Sequence, residues 1–259
     1  MYYIKEKRYI DSLKREAMHY IAFPDDYETS TKSYPVLYMH DGHNLFDVKD
    51  SFMQATWKII EAYQKEQDLP EIIIVGIECA PGVQRLNEYG PYTFEFVKTG
   101  FESQPGGKGD MYIKYIIEHL KPHIDQTYRV LKKPHYTGIM GSSMGGVISL
   151  YAGIHHPEVF GLIGSLSGAF FVSIEALSND LINKQYTSLS RCYLDVGTKE
   201  VAGGNPKDYM TSNDRVYQLL AQQLTKKQLK YEIIEGGKHH ERDWGQRFPE
   251  IIRYLFQPE

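Results

Sequence analysis

Short apolar runs alternate along the chain with stretches whose apolar residues recur three and four positions apart, and this alternation predicts the elements. Tyr34-Pro-Val-Leu-Tyr-Met-His40 reads as a strand ending in the turn pair Asp41-Gly42. Ile72-Ile-Ile-Val-Gly-Ile77 is the unbroken β-branched run of a strand covered on both faces. The stretches from Tyr136 to Gly141, Leu162 to Leu166, Cys192 to Val196 and Tyr231 to Ile234 have the same character. Between them, Tyr112, Tyr115, Ile116, His119 and Leu120 share one helical face, with Asp110 placed to cap it. Val216, Leu219 and Leu220 mark a second helix. Trp244, Phe248, Ile251, Ile252, Leu255 and Phe256 form the apolar stripe of a C-terminal one.

Strand–helix alternation at this spacing predicts an α/β fold, with a mostly parallel central sheet and helices on both faces. No composition break or internal repeat divides the chain, so one domain is expected over residues 1–259. The stretches from Pro81 to Gly109 and from Thr198 to Asn213 are rich in Gly, Pro and polar residues and follow strands. Loops at strand carboxyl ends form the ligand crevice of such sheets. Only about 25 residues, Leu166 to Ser190, separate two successive strands, which leaves no room for a large cap domain.

Composition narrows the function classes. Acidic residues number 33 against 29 basic ones, a net charge of −4, without the concentrated basic excess that nucleic acid demands. Two cysteines, Cys79 and Cys192, are too few for a disulfide framework and read as inert small hydrophobes. The stretch from Pro134 to Pro157 lacks charge, but its five glycines and three serines suit a packed interior better than a bilayer span. No apolar stretch follows the basic residues near Met1, so the N-terminus does not read as a secretory signal, and a cytoplasmic protein is expected. Self-association stays open.

Gly141-Ser142-Ser143-Met144-Gly145-Gly146 contains G-x-S-x-G between a predicted strand and a predicted helix. In that context the motif reads as a nucleophile elbow. Ser143 then sits on a strained turn, where bulk at Gly141 or Gly145 would collide with the neighbouring strand and helix. The following helix aims its first amides at the site. The second donor of an oxyanion hole belongs to the loop after an earlier strand, which makes the backbone N–H groups of His43 and Met144 the natural pair. A serine hydroxyl also needs a histidine to take its proton and a carboxylate to hold that imidazole, in the chain order Ser, acid, His. Glu200, in the loop after the strand through Val196, is favoured as the acid over Asp195, which lies inside the strand pattern. His239 and His240 both occupy the loop before the C-terminal helix, and periodicity does not separate them. His40-x-x-His43, His155-His156 and His239-His240-Glu241 match no compact ligand spacing, so no metal or other cofactor is expected. Gly106-Gly-Lys-Gly-Asp110 lacks the hydroxyl of a phosphate loop and reads as a helix start.

Taken in order, these stretches resemble the esterase D-like family of α/β hydrolases, which includes enterochelin esterases, feruloyl esterases and mycolyltransferases. The matching segments are Pro35-Val-Leu-Tyr-Met-His-Asp-Gly42, Gly109-Asp110, Pro122-x-Ile-Asp125, Gly141 to Gly146, Ser165-x-Ser-Gly168, Gly197-Thr-Lys-Glu200 and Gly236-Gly-Lys-His239 with Trp244. The family's histidine stands five residues before a tryptophan, so the resemblance selects His239 over His240. It implies the same acid, Glu200, and the same donor, His43. It also implies a serine carboxylesterase working through an acyl-enzyme on small-molecule esters, and the short link that excludes a large cap points to short acyl groups. An acyltransferase using the same intermediate is the near alternative, and a non-catalytic binding module on a hydrolase fold is the distant one. Tyr89, Phe170 and Phe171 are the candidate pocket residues, with Tyr92 and Phe94 beside them.

Overall fold

A computed structural model describes residues 1–52, 54–95 and 104–257. Eight strands form one sheet: β1 (Tyr2–Ile10), β2 (Arg15–Phe23), β3 (Val36–His40), β4 (Ile73–Ile77), β5 (Thr137–Ser142), β6 (Leu162–Leu166), β7 (Arg191–Lys199) and β8 (Leu229–Lys238). Their spatial order is β1-β2-β4-β3-β5-β6-β7-β8. From β4 to β8 every pairing is parallel, and β2 joins β4 antiparallel, so the sheet is mostly parallel as its sequence pattern predicts. All five residues of β4, and all of β3, β5 and β6, are buried, because helices cover both faces.

One face is packed by α2 (Val83–Tyr89), α3 (Gly109–Tyr115), α4 (Lys121–Thr127), α5 (Met144–His155), α6 (Ile174–Asn183) and α7 (Pro206–Leu220). The other is packed by α1 (Ile59–Lys65) and α8 (Glu241–Phe256). The α5 helix is apolar all round and buried from Met144 to Ile154, the signature of a central core helix. In α8 only the stripe of Trp244, Phe248, Ile251, Ile252 and Leu255 is buried, as its spacing requires. No helix among the described residues is long and apolar enough to cross a membrane.

The structure departs from the sequence pattern at four points. The β1–β2 hairpin is absent from the sequence reading, because its charged run, Lys5-Glu-Lys-Arg8, masks the alternation of an edge strand exposed on one side. Asp110 does not cap α3; it lies in the first turn and pairs with Lys114. Both predicted loops carry helices: α2 lies in the first, and α7 starts at Pro206 behind an Asn205–Asp208 capping box in the second. Residues 96–103 of the first loop lie outside the described residues.

The helical face through Tyr112 and Leu120 is also not one regular helix. A wide π-turn at Ile116–Leu120 separates α3 from α4, next to Pro122, which has no N–H to continue the α pattern.

The packing of α8 is directly testable. Phe248 is wholly buried against Tyr63 and the apolar side of the sheet. Phe248→Ala is expected to cost about 3–5 kcal/mol in urea unfolding. Gln218→Ala, at an exposed position of α7, should stay within about 0.5 kcal/mol.

Candidate active site

The site is built from the carboxyl ends of adjacent strands. β5 ends at Ser142, and Ser143 follows with φ 60° and ψ −123°, directly before α5. A non-glycine residue held there costs on the order of 1–3 kcal/mol and persists only if its surroundings impose it. Here they do. The Ser143 amide donates to the Leu166 carbonyl (2.9 Å), while its own carbonyl accepts from Gly146 (3.1 Å), Val147 (3.2 Å) and Ala169 (3.2 Å). Glycine at position 141 is obligatory, since a Cβ there would lie 2.8 Å from the His40 ring and 2.9 Å from the Gly145 backbone. At Gly145 the fit is looser than the sequence suggests, 3.3 Å from His40 Cβ.

Glu200 follows the end of β7 and is fully buried. Its Oε1 accepts the Ser167 hydroxyl (2.6 Å) and the Gly197 amide (3.0 Å), and its Oε2 lies 2.7 Å from His239 Nδ1. Three donors thus surround one carboxylate, which fixes the imidazole's orientation and leaves Nε2 as the nitrogen available to a substrate or nucleophile. Behind it, Trp244 Nε1–H donates to Ser167 Oγ (2.9 Å), and the indole meets the His239 ring edge-on at 4.9 Å. The Trp244 spacing thus has a physical basis.

His240 does a different job: it is the N-cap of α8, its Nδ1 accepting the Arg242 amide (3.1 Å). Asp195, the rival acid, is buried one step behind. It receives Arg247 through Nε (2.7 Å) and Nη2 (3.1 Å) and accepts the Ser167 amide (3.1 Å). Burial raises its pKa and Arg247 opposes that rise.

The turn after β3 supplies His43. Asp41 is left-handed (φ 53°), and Gly42 passes so close to β4 that a Cβ would stand 2.6 Å from the Gly76 backbone. α2 clamps this turn from behind. Arg85 holds the Asp41 carboxylate through two bonds of 2.7 Å, and the Asp41 amide donates to the Tyr89 hydroxyl (3.0 Å). Burial opposes ionisation of Asp41, but Arg85 outweighs it and keeps the carboxyl below its ordinary range. Beneath the turn, His40 Nδ1 meets the Tyr112 hydroxyl at 2.9 Å.

Ser143, His239, His43 and Trp244 line one cavity of about 670 Å³, with Phe52, Trp57, Pro81, Arg85 and Ala202 around it. The aromatic residues expected to line a pocket do not. Tyr89 and Phe170 are wholly buried, Tyr89 because its hydroxyl serves the Asp41 turn, and Phe171 packs against Tyr209 at 4.9 Å. Tyr92 instead bonds Asp180 (2.5 Å), and Phe94 is buried. Cys192 is buried as expected, whereas Cys79 is half-buried in the cavity wall.

Sequence reasoning missed Tyr209, whose ring tilts against His239 at 5.2 Å and whose hydroxyl neighbours that of Ser143. It also missed Arg247 and the role of Ser167. The α7 apolar spacing hides Tyr209 among core residues, while the Ser-Leu-Ser-Gly segment after β6 was visible without a role.

Comparison with known proteins follows the same lines. A family model described as "Putative esterase" matches residues 10–255. The chain is 28% identical over 239 residues to the uncharacterized protein YbbA of Bacillus subtilis (strain 168), covering 90% of each. Its fold is similar to the enterobactin esterase FES from Shigella flexneri, solved with enterobactin, at a TM-score of 0.78 and 20% identity. That likeness covers all of this chain and 59% of the other. It is also similar to an IroE-like serine hydrolase from Shewanella oneidensis, at 0.77 and 21%, covering 99% and 80% respectively.

Two buried histidines, His40 beneath the site and His19 on β2 beside Tyr115, predict a pH dependence of stability. Burial lowers His40 to about 3 and His19 to about 4. The unfolded chain protonates both near the reference value of about 6.5, so below that pH it binds protons that the folded chain refuses. Stability is therefore full above about pH 6.5 and falls with acid, by up to about 1.4 kcal/mol per pH unit for each histidine. Urea unfolding at pH 7 and pH 5 should differ by roughly 4 kcal/mol. Equal midpoints would show that these rings are not buried neutral.

Proposed function

The chain belongs to the esterase family that this model defines, and on that premise we propose that it is a serine carboxylesterase whose triad is Ser143, His239 and Glu200. One observation carries the reading: the buried Glu200 carboxylate holds His239 Nδ1 at 2.7 Å, in the same cavity as a serine on a strained turn. Ser143 Oγ attacks the ester carbonyl as His239 Nε2 takes its proton. Glu200 stabilises the imidazolium and itself stays ionised. The backbone N–H groups of His43 and Met144 receive the oxyanion, the latter at the start of α5, where amides have no carbonyl within the helix to bond. The imidazolium then protonates the leaving alcohol, and water repeats the sequence to free the acid.

Water is the proposed acyl acceptor. The link from β6 to β7 holds only α6 and a short turn of helix, no large cap. The substrates proposed are small-molecule esters with short acyl groups.

Ser143→Ala should abolish ester hydrolysis and fluorophosphonate labelling while leaving the fold intact by circular dichroism. Glu200→Gln should lower kcat by about 10²–10⁴, because it removes the charge that pairs with imidazolium. His240→Gln, which alters only a helix cap, should retain most turnover. Turnover kept in Glu200→Gln and lost in His240→Gln would reverse the assignment.

Acyl length gives an independent test. Across nitrophenyl esters from acetate to laurate, kcat/KM should peak among the short chains. A maximum at laurate would contradict an open site without a cap.

A further inference from the structure

Apart from the proposed triad, the cavity wall gathers three residues that the ester chemistry does not use through their side-chain atoms: Asp41, His43 and Cys79. One ligand atom from each lies within 4.8 Å of the others. Sheet register brings them together. β3 and β4 run parallel with His40 opposite Ile77, so the turn holding Asp41 and His43 lies beside the segment holding Cys79. One feature shows that the group is not fully satisfied: His43 Nδ1 is enclosed with no hydrogen-bond partner among the described residues. The Cys79 thiol has the Asp41 carboxylate as its partner and is half-buried rather than sealed in the core, so an ion that replaces the thiol proton can reach it. All three residues line the cavity, so an ion has a path in.

We propose that Asp41, His43 and Cys79 form a site for a thiophilic divalent cation of the Zn²⁺ and Cd²⁺ class, and that its occupancy shuts off hydrolysis. Sulfur, imidazole nitrogen and one carboxylate oxygen suit a borderline or soft ion and disfavour Mg²⁺ or Ca²⁺. With bonds of about 2.0–2.3 Å, tetrahedral donors stand roughly 3.3–3.7 Å apart. Atoms within 4.8 Å of one another need close in by no more than about 1–1.5 Å, which rotation of the half-buried His43 and Cys79 side chains supplies. The ion takes the place of the thiol proton: a Cys79 S–metal bond forms, the S–H bond breaks, and one proton leaves to solvent without any change of oxidation state. Arg85 need not be displaced, because each Asp41 oxygen has a second lone pair beyond the one that Arg85 uses. The fourth position faces the cavity. An ion there pulls on the ring of the residue whose amide is the proposed oxyanion donor and occupies the wall beside Ser143.

The binding claim is independent of the esterase reading; only the shut-off rests on it. Cd²⁺ titrated into the full chain, with a non-thiol reductant, should produce the ultraviolet thiolate-to-cadmium charge-transfer band and saturate at one ion per chain. Cys79→Ser should lose the band and Cys192→Ser should keep it. His43→Ala, which retains the backbone amide, should weaken Cd²⁺ binding at least about tenfold. Zn²⁺ should raise the melting temperature of the parent and not that of Cys79→Ser, which separates lost binding from lost folding. An absent band, a band that follows Cys192, or equal affinity in His43→Ala overturns the site, the last showing a lone thiol only. In the parent, Zn²⁺ should abolish nitrophenyl ester hydrolysis and a chelator should restore it. Full turnover with the cadmium band saturated overturns the shut-off while leaving the triad untouched.

Discussion

The left-handed backbone at Ser143 is tolerated because four backbone hydrogen bonds converge on one residue, and much of the surrounding fold follows from that arrangement. The turn reverses the chain from β5 into α5 within one residue, which brings Gly141 and Gly145 nearly into contact and presses His40 against both. A histidine in that position cannot be hydrated, so it stays neutral and spends Nδ1 on Tyr112. The helix that starts at the turn has to run down the sheet's covered face, and its burial from Met144 to Ile154 suits no other place. Strain at one φ angle is thereby offset by a buried helix and a central strand.

A second set of supports holds the imidazole side. Ser167 is the junction: its hydroxyl bonds Glu200 and accepts from Trp244, while its amide is held by Asp195, which Arg247 in turn neutralises. Buried polar chains of this kind strengthen one another when every member is satisfied. β6, β7 and α8 each contribute a member, so displacing α8 would remove both Trp244 and Arg247 together. The carboxylate nearest His239 and the carboxylate nearest the helix cation have separate tasks, although five residues apart in the chain.

Most of the parallel sheet and the position of Glu200 were legible because periodicity and strand order encode them locally, whereas His239 was set apart from His240 only by the resemblance to the family's histidine–tryptophan spacing. Ile72 to Ile77 announces a doubly covered strand, and the five-residue step from His239 to Trp244 reflects a ring contact across one turn of chain. What stayed hidden depends on contacts distant in sequence. The β1–β2 hairpin alternates polar and apolar residues only when one knows which face meets solvent. Tyr89 looks like a pocket aromatic until its hydroxyl is seen under the Asp41 amide, and Tyr209 looks like core until its ring is seen beside His239. Apolar pattern locates such residues in the interior but says nothing of where a single hydroxyl is used.

The order of parts along the chain has a consequence for how the protein is made. Ser143 lies on β5–α5, whereas His239 and the tryptophan behind it arrive ninety-six or more residues later. At about 5–20 residues per second, a ribosome spends several seconds between exposing Ser143 and supplying His239. During that interval β8 and α8 are not yet in place, and the Ser167 hydroxyl lacks the indole that bonds it. The polar network behind the cavity is therefore completed only with the docking of the last helix, which brings Trp244 and Arg247 together.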